Sequence, residues 1–122
     1  MKKPLTALII EDNPDNMELI SVILQANNIT VIPIFNGLDG VHAASNLLFD
    51  FILLDIQLPD ITGFEVIKRI RAARVVQPVI AVTSYAMSGD RQVLMNSGCD
   101  GYIEKPIDPS IIINQILAII EL

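Results

Sequence analysis

Apolar and polar residues fall along this chain in blocks rather than in single alternation. Nearly unbroken apolar runs occur at Leu5 to Ile10, Phe51 to Leu54 and Val79 to Val82, with a weaker one at Ile29 to Phe35 and a short one at Gly101 to Glu104. A run without polar alternation suits a parallel strand covered on both faces. Pro33 inside the weaker run predicts an edge strand, because proline cannot donate to a ladder. Between the runs, apolar residues recur at helical spacing: Met17, Ile20, Ile23 and Leu24; Val41, Ala44, Leu47 and Leu48; Phe64, Val66, Ile67 and Ile70, with Lys68, Arg69 and Arg71 on the solvated side.

Helix boundaries follow from local chemistry. The first helix starts at Pro14 and closes at Asn27-Asn28; the second follows the Asn36-Gly37 turn; the third opens at Gly63 and is broken by Gln77-Pro78. A fourth runs from Met87 to Asn96 with Gly98 as its stop, and a fifth from Asp108-Pro109, with Asp108 as N-cap, to about Glu121. Strands alternating with helices, without repeat or linker, predict an α/β fold: a doubly wound (βα)5 parallel sheet of order 2-1-3-4-5.

Composition narrows the classes. The 122 residues suit one domain, residues 1–122, and the net charge of −6 without a basic run argues against direct nucleic-acid binding. Although 52% of residues are hydrophobic, no stretch approaches the roughly 18 apolar residues of a membrane helix. Met1-Lys2-Lys3 leads into a short strand rather than a signal peptide, and the single Cys99 makes no internal disulfide, so a cytoplasmic protein is expected.

In the expected topology the strand ends bring Glu11, Asp12, Asp55, Thr83 and Lys105 to one edge. Three carboxylates in one cleft repel unless a cation joins them, and a divalent ion with one lysine would balance the charge. The donors are all oxygens, which suits Mg²⁺ or Mn²⁺ rather than zinc; His42, the sole histidine, lies on the second helix away from this edge. Such a cation shares its shell with phosphate oxygens, so the constellation points to phosphoryl transfer with an aspartate nucleophile.

Those residues carry a resemblance. Glu11-Asp12, Asp55-Ile56-Gln57-Leu58-Pro59 with Gly63, Thr83-Ser84 and Lys105-Pro106 occur in the order found in receiver domains of two-component response regulators, and the likeness spans essentially the whole chain. The resemblance implies the flavodoxin-like receiver fold and a phosphorelay role in which Asp55 takes a phosphoryl group from a histidine kinase or histidine phosphotransfer protein. It implies that Asp12, Asp55 and the Gln57 carbonyl bind Mg²⁺, with Glu11 acting through water, and that Lys105 and the Thr83 hydroxyl meet the phosphoryl oxygens. It further implies a cis Lys105-Pro106 peptide, a switch made of Thr83 and Tyr102, and an acyl-phosphate lifetime tuned by Gln57 and Tyr85. Such a domain is no enzyme in the ordinary sense, though it assists its own phosphorylation and dephosphorylation.

The output surface in this family is the fourth helix, fifth strand and fifth helix, where a downstream protein or a second copy docks. Ile111, Ile112, Ile113, Ile116, Leu117, Ile119 and Ile120, with Val93-Leu94-Met95, exceed one core stripe and fit that use. A full motif set beginning near Met1 resembles the stand-alone chemotaxis and DivK types. Three rival readings remain beside it. A flavin-mononucleotide carrier would need a Ser/Thr- and Gly-rich loop where Glu11-Asp12-Asn13-Pro14 stands, and an aspartate-nucleophile phosphatase favours a second aspartate where Gln57 stands. A pseudo-receiver that only binds partners would have little use for the intact Asp12, Asp55 and Lys105.

Overall fold

The computed structural model describes residues 4–84 and 88–121. Strands β1 (Thr6–Ile10), β2 (Thr30–Ile34), β3 (Phe51–Asp55), β4 (Val79–Thr83) and β5 (Gly101–Glu104) form one parallel sheet in the order β2-β1-β3-β4-β5. The helices are α1 (Pro14–Ala26), α2 (Gly37–Asn46), α3 (Gly63–Ala72), α4 (Ser88–Asn96) and α5 (Ile112–Ile120). Register aligns the strand ends: Ile10 pairs with Leu54, Asp55 with Val82, and Thr83 with Glu104.

The strand alternation sorts the core into two layers. Leu8, Ile10, Ile52, Leu54, Val79 and Ala81 face Ala43 and Ala44 of α2, Val66, Ile67 and Ile70 of α3, and Leu94 of α4. Ala7, Ile9, Phe51, Leu53, Ile80 and Val82 face Met17, Ile20 and Leu24 of α1 and Ile112 and Ile116 of α5. Both faces of β3 and β4 are therefore buried, which is why their sequences lack polar alternation. Edge strand β2 carries Pro33 and is only partly covered.

Caps fix where the helices begin. Asn13, Asn36 and Thr62 accept hydrogen bonds from the main-chain N–H groups of Asn16, Asp39 and Glu65. At the amino end of the sheet, Asp50 Oδ2 accepts from Thr6 N at 2.7 Å and Asp100 Oδ2 from Val79 N at 2.8 Å. Arg71 donates to Asp100 Oδ2 (2.9 Å), Val75 O (2.8 Å) and Gln77 O (2.9 Å), binding the end of α3 to the starts of β4 and β5.

The structure revises several expectations. Helix α5 begins at Ile112 rather than at Asp108, whose Oδ1 instead closes a turn on Ser110 N and Oγ at 2.9 and 2.7 Å. Helix α2 ends at Asn46, so Leu47 and Leu48 lie beyond it, with Leu48 92% exposed. Arg71 is half-buried and multiply bonded rather than freely solvated. Cys99 stays a free thiol in the loop after α4, buried there with its Sγ donating to Leu94 O at 3.0 Å. The start expected for the fourth helix, Met87, lies outside the described residues. Among the described residues, no helix is long and apolar enough to cross a membrane.

Candidate functional site

The carboxyl end of the sheet collects the predicted side chains. Glu11 follows β1 directly and is 2% exposed; Asp55 ends β3 at 4% and Thr83 ends β4 at 2%. Asp12 is exposed at the rim. One carboxylate oxygen from each of Glu11, Asp12 and Asp55 lies within 4.8 Å of the others. From beyond β5, Lys105 Nζ stands 3.3 Å from Asp55 Oδ1 and 3.5 Å from Glu11 Oε1.

Main-chain donors set the orientation of these acids. Gln57 N donates to Asp55 Oδ1 at 3.0 Å, and Asn13 N to Glu11 Oε2 at 3.1 Å. Lys105 N donates to Thr83 O at 3.0 Å, so β4 carries the lysine's backbone, and the Lys105–Pro106 peptide is cis. The β3–α3 loop closes tightly where Gly63 N donates to Ile56 O at 2.8 Å. A Cβ at Gly63 would sit 2.6 Å from Ile56 Cα and 2.8 Å from Asp55 O, so the turn beneath the aspartate admits only glycine.

Electrostatics make the cleft selective. Burial pushes the Glu11 carboxyl up to about 7, and the Asp55 charge adds to that rise, while the Asn13 N–H and the Lys105 ammonium oppose it. Three acids and one ammonium form an oxygen-only donor set with excess negative charge. That is the chemistry of a small, hard divalent cation, so the residues present fit Mg²⁺.

The remaining candidates fall around this centre. Tyr102 is half-buried on β5, with Arg91 Cζ 5.7 Å from its ring centroid, within cation–π range. Gln57 has an exposed side chain, whereas its backbone faces Asp55. Tyr85 lies outside the described residues. His42 sits exposed on α2 beside Asn46, apart from the cluster. The sequence reading passed over Asp60, whose carboxylate accepts from Gly37 N (2.8 Å) and Leu38 N (2.7 Å). These two partners lie more than twenty residues away, so no periodicity marks them; an acid directly after Pro59 is the local signal.

Residues 7–117 match the family model of the response regulator receiver domain. The chain belongs to that family. The receiver is also 41% identical over 106 residues to the polar-differentiation response regulator DivK of Brucella anthropi, covering 85% of this chain and 86% of that one. The Brucella ovis protein of the same name is 39% identical over 104 residues, covering 84% and 85%. Among solved structures, the receiver domain of sensor histidine kinase PA1611 from Pseudomonas aeruginosa, with a magnesium ion coordinated in its active-site cleft, has a TM-score of 0.86 at 30% identity and covers 98% of this chain and 100% of its own. The chemotaxis response regulator CheY4 of Vibrio cholerae shares the fold, at a TM-score of 0.88 and 23% identity over 96% of this chain and 99% of its own. The receiver is thus a two-component signalling domain with DivK relatives, and its acidic pocket is compatible with Mg²⁺ and aspartyl phosphorylation.

Proposed function

We propose that Asp55 is the phosphoacceptor of this receiver, supplied by a phosphohistidine on a histidine kinase or phosphotransfer protein. The observation that carries the reading is a buried carboxylate at a strand end, oriented by Gln57 N and Lys105 and flanked by two further acids. An Asp55 oxygen attacks phosphorus, the P–N bond breaks, and the imidazole leaves with the bonding pair. Asp12, Asp55 and the Gln57 carbonyl would hold Mg²⁺, with Glu11 acting through water. When bound, that cation neutralises the acids and draws the phosphoryl oxygens toward Asp55.

The chain's own groups do the rest. Lys105 places a positive charge beside the oxygen that receives the phosphoryl group, and its backbone bond to Thr83 keeps that charge in register with β4. The Thr83 hydroxyl donates to a phosphoryl oxygen and moves toward it, and Tyr102 follows inward on β5 as the second half of the switch. Repacking then reaches the α4–β5–α5 surface, where exposed Val93, Met95 and Ile111 offer apolar contact to a downstream protein or a second copy. Gln57 and Tyr85 tune how long the acyl phosphate survives. We take residues 1–122 as one such domain, working in the cytoplasm without contact to nucleic acid or membrane.

Incubation with acetyl phosphate, with and without Mg²⁺, followed by intact-mass analysis, tests this. One added phosphoryl group that requires both Mg²⁺ and Asp55, and is absent from Asp55→Asn, is the expected result. No addition from acetyl phosphate or from a phosphohistidine donor would sink the reading.

A further inference from the structure

The loop that carries the Gln57 carbonyl runs from the end of β3 to the start of α3. Its base is pinned by the bond from Gln57 N to Asp55 Oδ1 and its far end by Gly63 N on Ile56 O. Between them, its apex leans on a different element. Asp60 Oδ1 and Oδ2 accept from Gly37 N and Leu38 N at 2.8 and 2.7 Å, spanning the first N–H groups of α2. Those groups have no partner inside their own helix, and the positive end of the helix dipole favours a carboxylate there.

We propose that Asp60 is a positioning residue: by clamping the apex of the β3–α3 loop to α2, it sets where the Gln57 carbonyl stands in the cation site. The inference rests on the Mg²⁺ reading given above.

Packing at the clamp supports this. A Cβ at Gly37 would come within 2.6 Å of Ile61 Cγ1 and 3.1 Å of Asp60 Oδ1, so the loop is seated directly on the first residue of α2. Helix α2 is in turn tied to the acidic site, since Glu11 N donates to Ile34 O at 3.0 Å just before the Asn36 cap. Desolvation raises the Asp60 carboxyl, but the N–H groups of Leu38, Gly37 and Ile61 outweigh it and leave the group below its ordinary value. It therefore stays ionised, as a two-oxygen acceptor, wherever the site itself is charged. A carboxylate that caps a neighbouring helix while riding on a ligand-bearing loop works as an outer support for a metal ligand.

The test is calorimetric Mg²⁺ titration of the whole chain as wild type, Asp60→Ala, Asp60→Glu, Gly37→Ala and the control Asp50→Ala, with amide hydrogen exchange of each metal-free protein. Asp50 caps Thr6 N at the opposite end of the sheet, so its loss lowers stability without touching the loop. Asp60→Ala is expected to speed exchange at Gly37 and Leu38 and to weaken Mg²⁺ binding by up to about tenfold, the low end for such supports. Gly37→Ala, which displaces Ile61 instead, should weaken binding in the same direction. Asp60→Glu should recover most of the affinity, and Asp50→Ala should keep all of it. At saturating Mg²⁺, Asp60→Ala should reach the wild-type extent of phosphorylation, a split that general destabilisation does not produce. Wild-type affinity in Asp60→Ala despite faster exchange at Gly37 and Leu38 would overturn the inference alone. A wild-type chain that binds no Mg²⁺ would remove the metal reading together with it, before any variant is compared.

Discussion

Acidic side chains gather at both ends of this sheet, and they do opposite things. At the amino end each carboxylate has donors of its own: Asp50 takes Thr6 N, and Asp100 takes Val79 N and the Arg71 guanidinium. At the carboxyl end Glu11 and Asp55 also take one main-chain N–H each, from Asn13 and Gln57, but with Asp12 they crowd within 4.8 Å and share a single ammonium, Lys105. Carboxylates stand at both ends; what differs is how closely their charges are packed. Matched acids complete the fold, whereas the crowded charge at the other end is a standing repulsion that a divalent cation can relieve. In this receiver the proposed phosphorylation site lies where the charges are most crowded.

Removing one acid from each end separates the two roles. Asp55→Asn should abolish phosphoryl incorporation and raise the thermal midpoint in Mg²⁺-free buffer, since it relieves the crowding. A lowered midpoint would mean that Asp55 is structural after all. Acidity gives the next largest effect. Glu11 has a folded pKa of about 7 against an ordinary 4.5, so the folded state binds its proton more readily than the unfolded chain. The resulting stabilisation is full below about pH 4.5 and fades as pH rises through about 7, amounting to at most about 3 kcal/mol. Urea denaturation in chelator across that window should record the fall, and Glu11→Gln should flatten it. The lowered values of Asp60, Glu65 and Asp108 act only as pH drops below the ordinary carboxylate range, so they leave this window untouched.

At the matched end, Asp100→Ala strips Val79 N and Arg71 of their shared acceptor. It should cost about 1–2 kcal/mol in urea denaturation while phosphorylation proceeds to the wild-type extent. Leu48→Ser, belonging to neither end and 92% exposed, should change stability by less than about 0.5 kcal/mol and leave phosphorylation alone.

How much of this was legible in the sequence depended on how local the cause was. The strands and the edge position of Pro33 follow from apolar runs and from a missing N–H, both readable in place, and the strand order from the common doubly wound topology. Glu11, Asp55, Thr83 and Lys105 were legible because each stands directly at or after a strand end. Helix α5 was misjudged at its start because Asp108 has two local options, a cap or a turn on Ser110, and the following isoleucines fit either. Leu47 and Leu48 suited the helical period of α2, but Asn46 turns its amide back onto His42 O, at 2.8 Å, where the helix ends. Arg71 and Asp60 were invisible for a different reason: the partners that give each its role include groups more than twenty residues away, brought near only by the finished sheet.

The open flank of β2 has a consequence for the company this protein keeps. Thr30 N and Ile34 O turn inward to Leu5 and Glu11, so the outward-pointing positions of the strand are Val31 and Pro33. Pro33 has no hydrogen to offer, and at the other flank β5 is only four residues long. Neither margin is a template onto which a stray extended peptide or a misfolded sibling could zip. A chain this rich in isoleucine and leucine is thereby guarded against polymerising through its backbone, and recognition is left to side chains, which can be turned on and off.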